Sequence, residues 1–162
     1  MSQHKSQHGF TMIDLVITLA VLSILAGIAT PGMNRWMSSY RLKSASTDLF
    51  SNMQMAKTGS VKENRAWSMA FTGSGYQILN GSDQVVRSID FNQDYFGKII
   101  YKNPEAGLAI PLNNPLIFNS NGTTNVGWVY ISNQENTSYY RIGLQFVSGV
   151  VRAERWDGSD WK

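Results

Sequence analysis

The chain contains no cysteine. That excludes disulfides, thiolate metal sites and a cysteine nucleophile. It has two histidines, His4 and His8, both in the first eight residues. They are four apart, a spacing that can clasp a metal on a helix. They are read here as part of a solubilising polar leader. The remaining chain has no histidine for a Ser-His-Asp set. Asp83, Asp90, Asp94 and Glu105 are scattered without calcium-loop spacing. Asp90 and Asp94 are close enough for a loop cation but are read as solvated acids. The glycines form no phosphate-binding fingerprint. Charged residues make up 15% of the sequence and the net charge is +3, too mild to imply nucleic acid by itself. These absences leave no catalysis, metal or cofactor to expect.

What is present is concentrated at the N-terminus. A polar leader, residues 1–9, ends at Gly9. Phe10 opens a nearly unbroken apolar run to Gly32, 10–32, that carries a single charge, Asp14. At 1.5 Å per residue, that length crosses a bilayer core of about 30 Å. A carboxylate near the head of such a helix is expensive in hydrocarbon. Two plain readings are open. One is a secretory signal cut after Ala29, following the small residues Gly27-Ile28-Ala29. It leaves Asp14 inside the apolar region, with Lys5 as the leader's only basic side chain besides the amine. The other is a plain anchor, which explains the length but not Asp14 or the sharp Gly9-Phe10 junction.

The chain beyond Pro31 changes character. A proline removes one helical hydrogen bond and predicts a kink. Met33, Trp36, Met37, Tyr40, Leu49, Phe50, Met53 and Ala56 then recur at near-helical spacing, with Arg35, Arg41, Lys43, Asp48 and Lys57 mostly between them. This predicts an amphipathic helix over 33–64, ending near Lys62 to Asn64 and loosened at Gly59-Ser60. From Trp67 the period is two. Trp67, Met69 and Phe71 turn at Gly73-Ser74-Gly75 into Tyr76 and Ile78, a hairpin. Strands are expected at Val85–Phe91, Lys98–Tyr101, Leu116–Phe118, Val126–Ile131, Tyr139–Val147 and Val150–Trp156. A proline-bearing loop is expected over Asn103–Asn114. Tyr140, Ile142, Leu144 and Phe146 share one face of the last hairpin, the expected core face. The fold class is α+β, a long N-terminal helix with an antiparallel β head over 65–162.

The string Gly9-Phe10-Thr11-Met12-Ile13-Asp14-Leu15 resembles the cleavage and methylation motif of type IV pilins and type II secretion pseudopilins. The resemblance implies that a prepilin peptidase cuts after Gly9 and methylates the new amine on Phe10. Asp14 then stands at the fifth mature position, where the family usually has glutamate. Pro31 stands at the twenty-second, where many pilins also have proline. The implied role of Asp14 is to meet the cationic amine of a neighbouring subunit in an apolar filament core. Its shorter side chain demands a closer approach and marks a subunit with a special position. As a helix-start carboxylate, Asp14 also favours the dipole.

The head adds a looser likeness. Phe118-Asn119-Ser120-Asn121-Gly122, the strand through Ile142 to Phe146 and the closing Gly149 resemble the GspH/FimT family of minor pilins and pseudopilins. That implies an inner-membrane, single-pass chain with a periplasmic head. Its partners would be other pilins, the prepilin peptidase and the membrane assembly platform. Some members bind DNA through a basic motif after the closing glycine. Here Arg141, Arg152 and Arg155 are the candidates for DNA contact, beside Tyr139, Tyr140, Trp156 and Trp161. The residue after Gly149 is Val150, and Glu154, Asp157 and Asp160 dilute the field. The sequence-based register sets Arg141 against Trp156 as a cation–π pair, with Arg152 pairing locally with Glu154.

Overall fold

A computed structural model describes residues 11–111, 114–125, 127–144 and 150–162, with backbone only for 29–32 and 35. The leader, Gly9, Phe10, Phe146 and Gly149 lie outside these residues. So does the side chain of Pro31, and with it the expected kink. The chain divides into two units, residues up to Met37 and Ser38–Lys162.

Helix α1 is assigned continuously over Met12–Glu63, ending where the periodicity predicts. In the first unit every described side chain from Thr11 to Ile28 is exposed. The hydroxyls there are satisfied by their own helix. Thr18 donates to the Asp14 carbonyl (2.6 Å) and Ser23 to the Leu19 carbonyl (2.7 Å), so neither needs water. Among the described residues no helix is long and apolar enough to cross a membrane. The expected span 10–32 includes Phe10 and the side chains of 29–32, which lie outside the described residues.

In the second unit α1 buries Leu42, Ala45, Leu49, Met53 and Ala56. Spacings of three and four make this one helical face. The stripe is shifted from the expected one. Leu49, Met53 and Ala56 are buried as expected, whereas Met33, Trp36 and Tyr40 are exposed. Gly59-Ser60 does not loosen the helix; a side chain at Gly59 would strike the Trp67 indole, and Ser60 donates to the Asn119 carbonyl. The glycine lets a tryptophan lie against the helix.

The head has two four-stranded antiparallel sheets. The strands are β1 Trp67–Thr72, β2 Gly75–Leu79, β3 Val85–Asp90, β4 Ile99–Tyr101, β5 Leu116–Phe118, β6 Gly127–Asn133, β7 Tyr139–Leu144 and β8 Val151–Arg155. One sheet has the order β3-β2-β1-β5 and the other β4-β6-β7-β8. A short helix α2, Phe91–Asp94, joins β3 to β4. Asp90 caps it by accepting from the Asn92 amide, and Asp94 accepts from the Asp90 amide. The two acids are thus engaged in local hydrogen bonds; no metal-holding cluster occurs among the described residues.

One apolar cluster draws on α1 and both sheets, including Tyr76, Phe91, Phe118, Val129, Ile131, Ile142 and Leu144. Its polar atoms are paired across elements, as burial demands. Asn52 donates to the Tyr76 hydroxyl at 2.8 Å; burial pushes that hydroxyl's pKa up to about 12. Tyr95 donates to Asp48, and Tyr101 to the Gly75 carbonyl. At the start of the head, Ser38 donates to Glu135 at 2.6 Å and accepts from Asn133, tying the β6–β7 turn to α1.

Gly75 pairs with Asp90 across β2 and β3, and a Cβ there would collide with the Ile89 carbonyl oxygen. The obstacle is backbone and cannot swing aside. Gly75→Ala is expected to destabilise the head by about 1–3 kcal/mol, read as a lower midpoint in urea unfolding. Loss below about 0.5 kcal/mol would mean that β3 slides freely at this end.

Candidate functional site

Two features combine unusual chemistry with a defined position. The first is the start of α1. The Thr11 amide donates to Asp14 Oδ2 at 3.1 Å and the Thr11 hydroxyl to the same oxygen at 2.6 Å, while the Asp14 amide reaches back to the Thr11 hydroxyl at 3.3 Å. This is a capping box with aspartate in the usual glutamate place. Aspartate's short reach suits a partner on its own helix. The Thr11-x-x-Asp14 spacing was readable in sequence as a helix start. The carboxylate is therefore fixed in direction before any second chain is present. Gly9 and Phe10 lie outside the described residues, so the geometry places only Asp14 of the expected processing and assembly residues.

The second feature lies on the outer face of the β4-β6-β7-β8 sheet. Register sets Tyr130, Arg141 and Glu154 in one row across β6, β7 and β8. Arg141 binds Glu154 through both Nε (2.8 Å) and an NH2 group (2.6 Å). Its guanidinium is also sandwiched, with Cζ 4.6 Å from the Trp128 ring centroid and 4.7 Å from that of Trp161. This corrects the expected register. Arg141 opposes Glu154, not Trp156, and its aromatic partners are Trp128 and Trp161. Glu154 is held across the strands by Arg141 instead of pairing along β8 with Arg152.

The chain end completes the stack. Trp161 returns to bridge Trp156, meets Tyr130 edge-on at 5.4 Å and donates to Glu105 at 3.0 Å. The turn that brings it back is fixed by Asp157, which pairs with Lys162 and accepts from the Ser159 and Asp160 amides. The Lys162 ammonium, then these amides, hold the Asp157 carboxyl well below the usual range. Gly143 faces Trp128 across β6 and β7, and a side chain at 143 would crowd that tryptophan and the Gly127 carbonyl. Trp128 and Tyr130 were missed as partners because only the strand register brings them beside Arg141.

The three arginines do not share a surface. Arg141 is paired and stacked. Arg152 is exposed on the same outer face as Glu154, whereas Arg155 opposes Tyr140 on the other face of β8. At most one exposed arginine then meets a given phosphate row. Any binding of the full-length protein to duplex DNA is expected to weaken with salt at a log–log slope of about −1. A slope of about −4 or steeper in a fluorescence anisotropy titration would reveal a phosphate-binding patch that these positions do not form.

Residues 4–30 match a family described as the prokaryotic N-terminal methylation motif. The chain is 27% identical over 122 residues to a fimbrial protein of Moraxella nonliquefaciens, covering 74% of this chain and 71% of that one. The crystal structure of the type IV minor pilin FimU of Pseudomonas aeruginosa aligns over 74% of this chain and 84% of its own, with 21% identity and a TM-score of 0.39. The class these features define is an α+β chain with an N-terminal methylation motif. It is similar to a fimbrial protein and matches the methylation motif at its N-terminus.

Proposed function

We propose that the protein is a minor subunit of a type IV pilus or a type II secretion pseudopilus, of the GspH/FimT kind, working near the filament tip. It is held in the inner membrane with the head in the periplasm, cut after Gly9 by a prepilin peptidase and methylated on Phe10. It then enters the filament through the apolar part of α1, with the membrane assembly platform and other pilins as partners. Asp14 meets the new amine of a neighbouring chain, and Pro31 adapts the helix at the end of the apolar run.

The observation that carries this reading is the first part of α1. Its described side chains from Thr11 to Ile28 are exposed, its hydroxyls are satisfied internally and its single charge is Asp14. Such a surface is stable only against lipid or against like helices. The test follows the full chain in cells with and without the prepilin peptidase. With the peptidase the chain should appear in the sheared filament fraction; without it the chain should remain in the membrane at full length. Equal amounts in the filament fraction of both strains would overturn the reading.

A further inference from the structure

A cavity of about 730 Å³ opens at one end of the head, where the β6–β7 turn meets the returning end of the chain. Sites for small ligands span about 300–1,000 Å³. Two rings line the cavity, and both are held in place. The Tyr139 hydroxyl donates to the Asn136 carbonyl at 3.0 Å, and the Trp156 ring lies on Trp161 with centroids 5.1 Å apart. Thr137 and Ser138 bring hydroxyls to the lining, and Arg155 brings a guanidinium. Among the described residues, the Arg155 guanidinium, the Trp156 indole N–H and the Ser138 hydroxyl make no hydrogen bond or ion pair. The Thr137 hydroxyl accepts from Asn133 at 2.7 Å and keeps its own proton to donate. Lys162 also lines the cavity, but its ammonium is paired with Asp157. The main chain here is already used. Trp156 donates to the Tyr139 carbonyl, and Arg155 and Lys162 exchange both of their backbone bonds.

We propose that this cavity binds an acidic sugar, a pyranose carrying one carboxylate, at the end of a glycan. The cavity belongs wholly to the head, so its ligand does not depend on how the first part of α1 is used. The negative face of an aromatic ring attracts the C–H groups of a sugar ring, and Tyr139 and Trp156 supply the ring surface. Arg155 offers a planar fork that matches a carboxylate. The free indole N–H and the hydroxyls of Thr137 and Ser138 donate to sugar oxygens. Charge narrows the class. With Lys162 neutralised by Asp157, one uncompensated guanidinium remains, and Asp160 in the same turn adds a negative charge. That balance suits a single carboxylate and repels a phosphate or a polyanion. A peptide strand fits poorly for another reason. Strand addition relies on unpaired main-chain groups, and those beside Tyr139, Arg155, Trp156 and Lys162 are taken. What the cavity offers is side chains, which is what a sugar needs.

The full chain in detergent micelles is titrated with digalacturonate and with diglucuronate at fixed ionic strength, and the nitrogen–proton signals are followed. At least one of the two should shift the Trp156 indole and Gly158 amide signals saturably, while the buried Trp67 indole signal stays in place. The methyl ester of the sugar that binds, which lacks the charge, should bind about tenfold more weakly or worse. Arg155→Gln should lose affinity for the free acid by a similar factor and be indifferent to the ester. Arg155 is exposed, so an unchanged Trp67 signal in this variant shows that the head is intact. The ester comparison, made on the unaltered chain, stands without any variant. Equal affinity for acid and ester, or full affinity in Arg155→Gln, would overturn the inference. So would the absence of saturable shifts with either acid up to about 10 mM. Tighter binding of galactose 6-phosphate, or of a glutamate-rich peptide at the same signals, would also overturn it, by assigning the cavity to a different ligand.

Discussion

Asp14→Ala is expected to leave the chain in the membrane and to remove it from the filament. Insertion depends on apolar length, and replacing a carboxylate with a methyl makes the run more apolar. Assembly, on the proposed reading, depends on a charge that faces the neighbouring amine. Without it that amine is buried unpaired, and incorporation should fall by about a hundredfold or more. Separate variants isolate the local cap from the contact between chains. Thr11→Ala removes the hydroxyl's hydrogen bond to Asp14 Oδ2 and the one the hydroxyl accepts from the Asp14 amide, yet keeps the Thr11 amide bond and the carboxylate. It should fray the first turn and reduce incorporation only severalfold. Asp14→Glu keeps the charge and lengthens the reach, and should assemble at least as well unless the short side chain is required at this subunit's own position. The filament-to-membrane ratio of each variant on a quantitative blot gives the ordering. If Asp14→Ala enters filaments like the wild type, the pairing idea is lost.

The second large effect is expected at the arginine–tryptophan stack. Arg141 and Glu154 have side chains only 23% and 19% exposed. Arg141→Ala leaves a half-buried carboxylate without its cation and opens the gap between Trp128 and Trp161. The expected loss of stability is about 2–4 kcal/mol, part from the pair and part from the stacked rings. Arg141→Met restores apolar volume between the indoles but still strands Glu154. Adding Glu154→Gln should then recover a good part of the loss, because the unpaired charge is gone. Urea unfolding of these variants forms a cycle. Near-additive losses would mean that Arg141 and Glu154 act independently, contrary to the geometry. The same variants bear on nucleic acid. An arginine that holds the sheet together is not free to grip phosphate, so Arg141→Ala should lower stability far more than any DNA affinity.

The sequence carried the architecture well because the architecture rests on local periodicity. The change from helical spacing to alternation after Arg65 marks the end of α1, and each expected strand has a counterpart among the described residues. Gly73-Ser74-Gly75 turns the first hairpin as its residues suggest. The stripe on α1 was only partly legible. Met33, Trp36 and Tyr40 are as apolar as Leu42 and Leu49, and spacing cannot say which apolar residues meet a sheet. Ala45 was overlooked because a small side chain gives a weak hydrophobic signal, although it is buried. At the N-terminus, Gly9, Phe10 and Asp14 are expectations read from a linear string, and Gly9 and Phe10 lie outside the described residues. The capping role of Thr11 follows from the same three-residue spacing. The cation–π role of Arg141 was legible, but its partners were not. Its partners come from β6, β8 and the returning chain end, and a shift of one or two residues in register replaces Glu154 with another neighbour.

The central claim is that this chain is processed after Gly9 and used as a filament subunit. Mass spectrometry of the intact protein, recovered from the sheared filament fraction, tests it most directly. The account predicts a chain that begins at Phe10 and carries one additional methyl group on its amine. A chain beginning at Thr30, or one retaining Met1 with an unmodified Phe10, would contradict it.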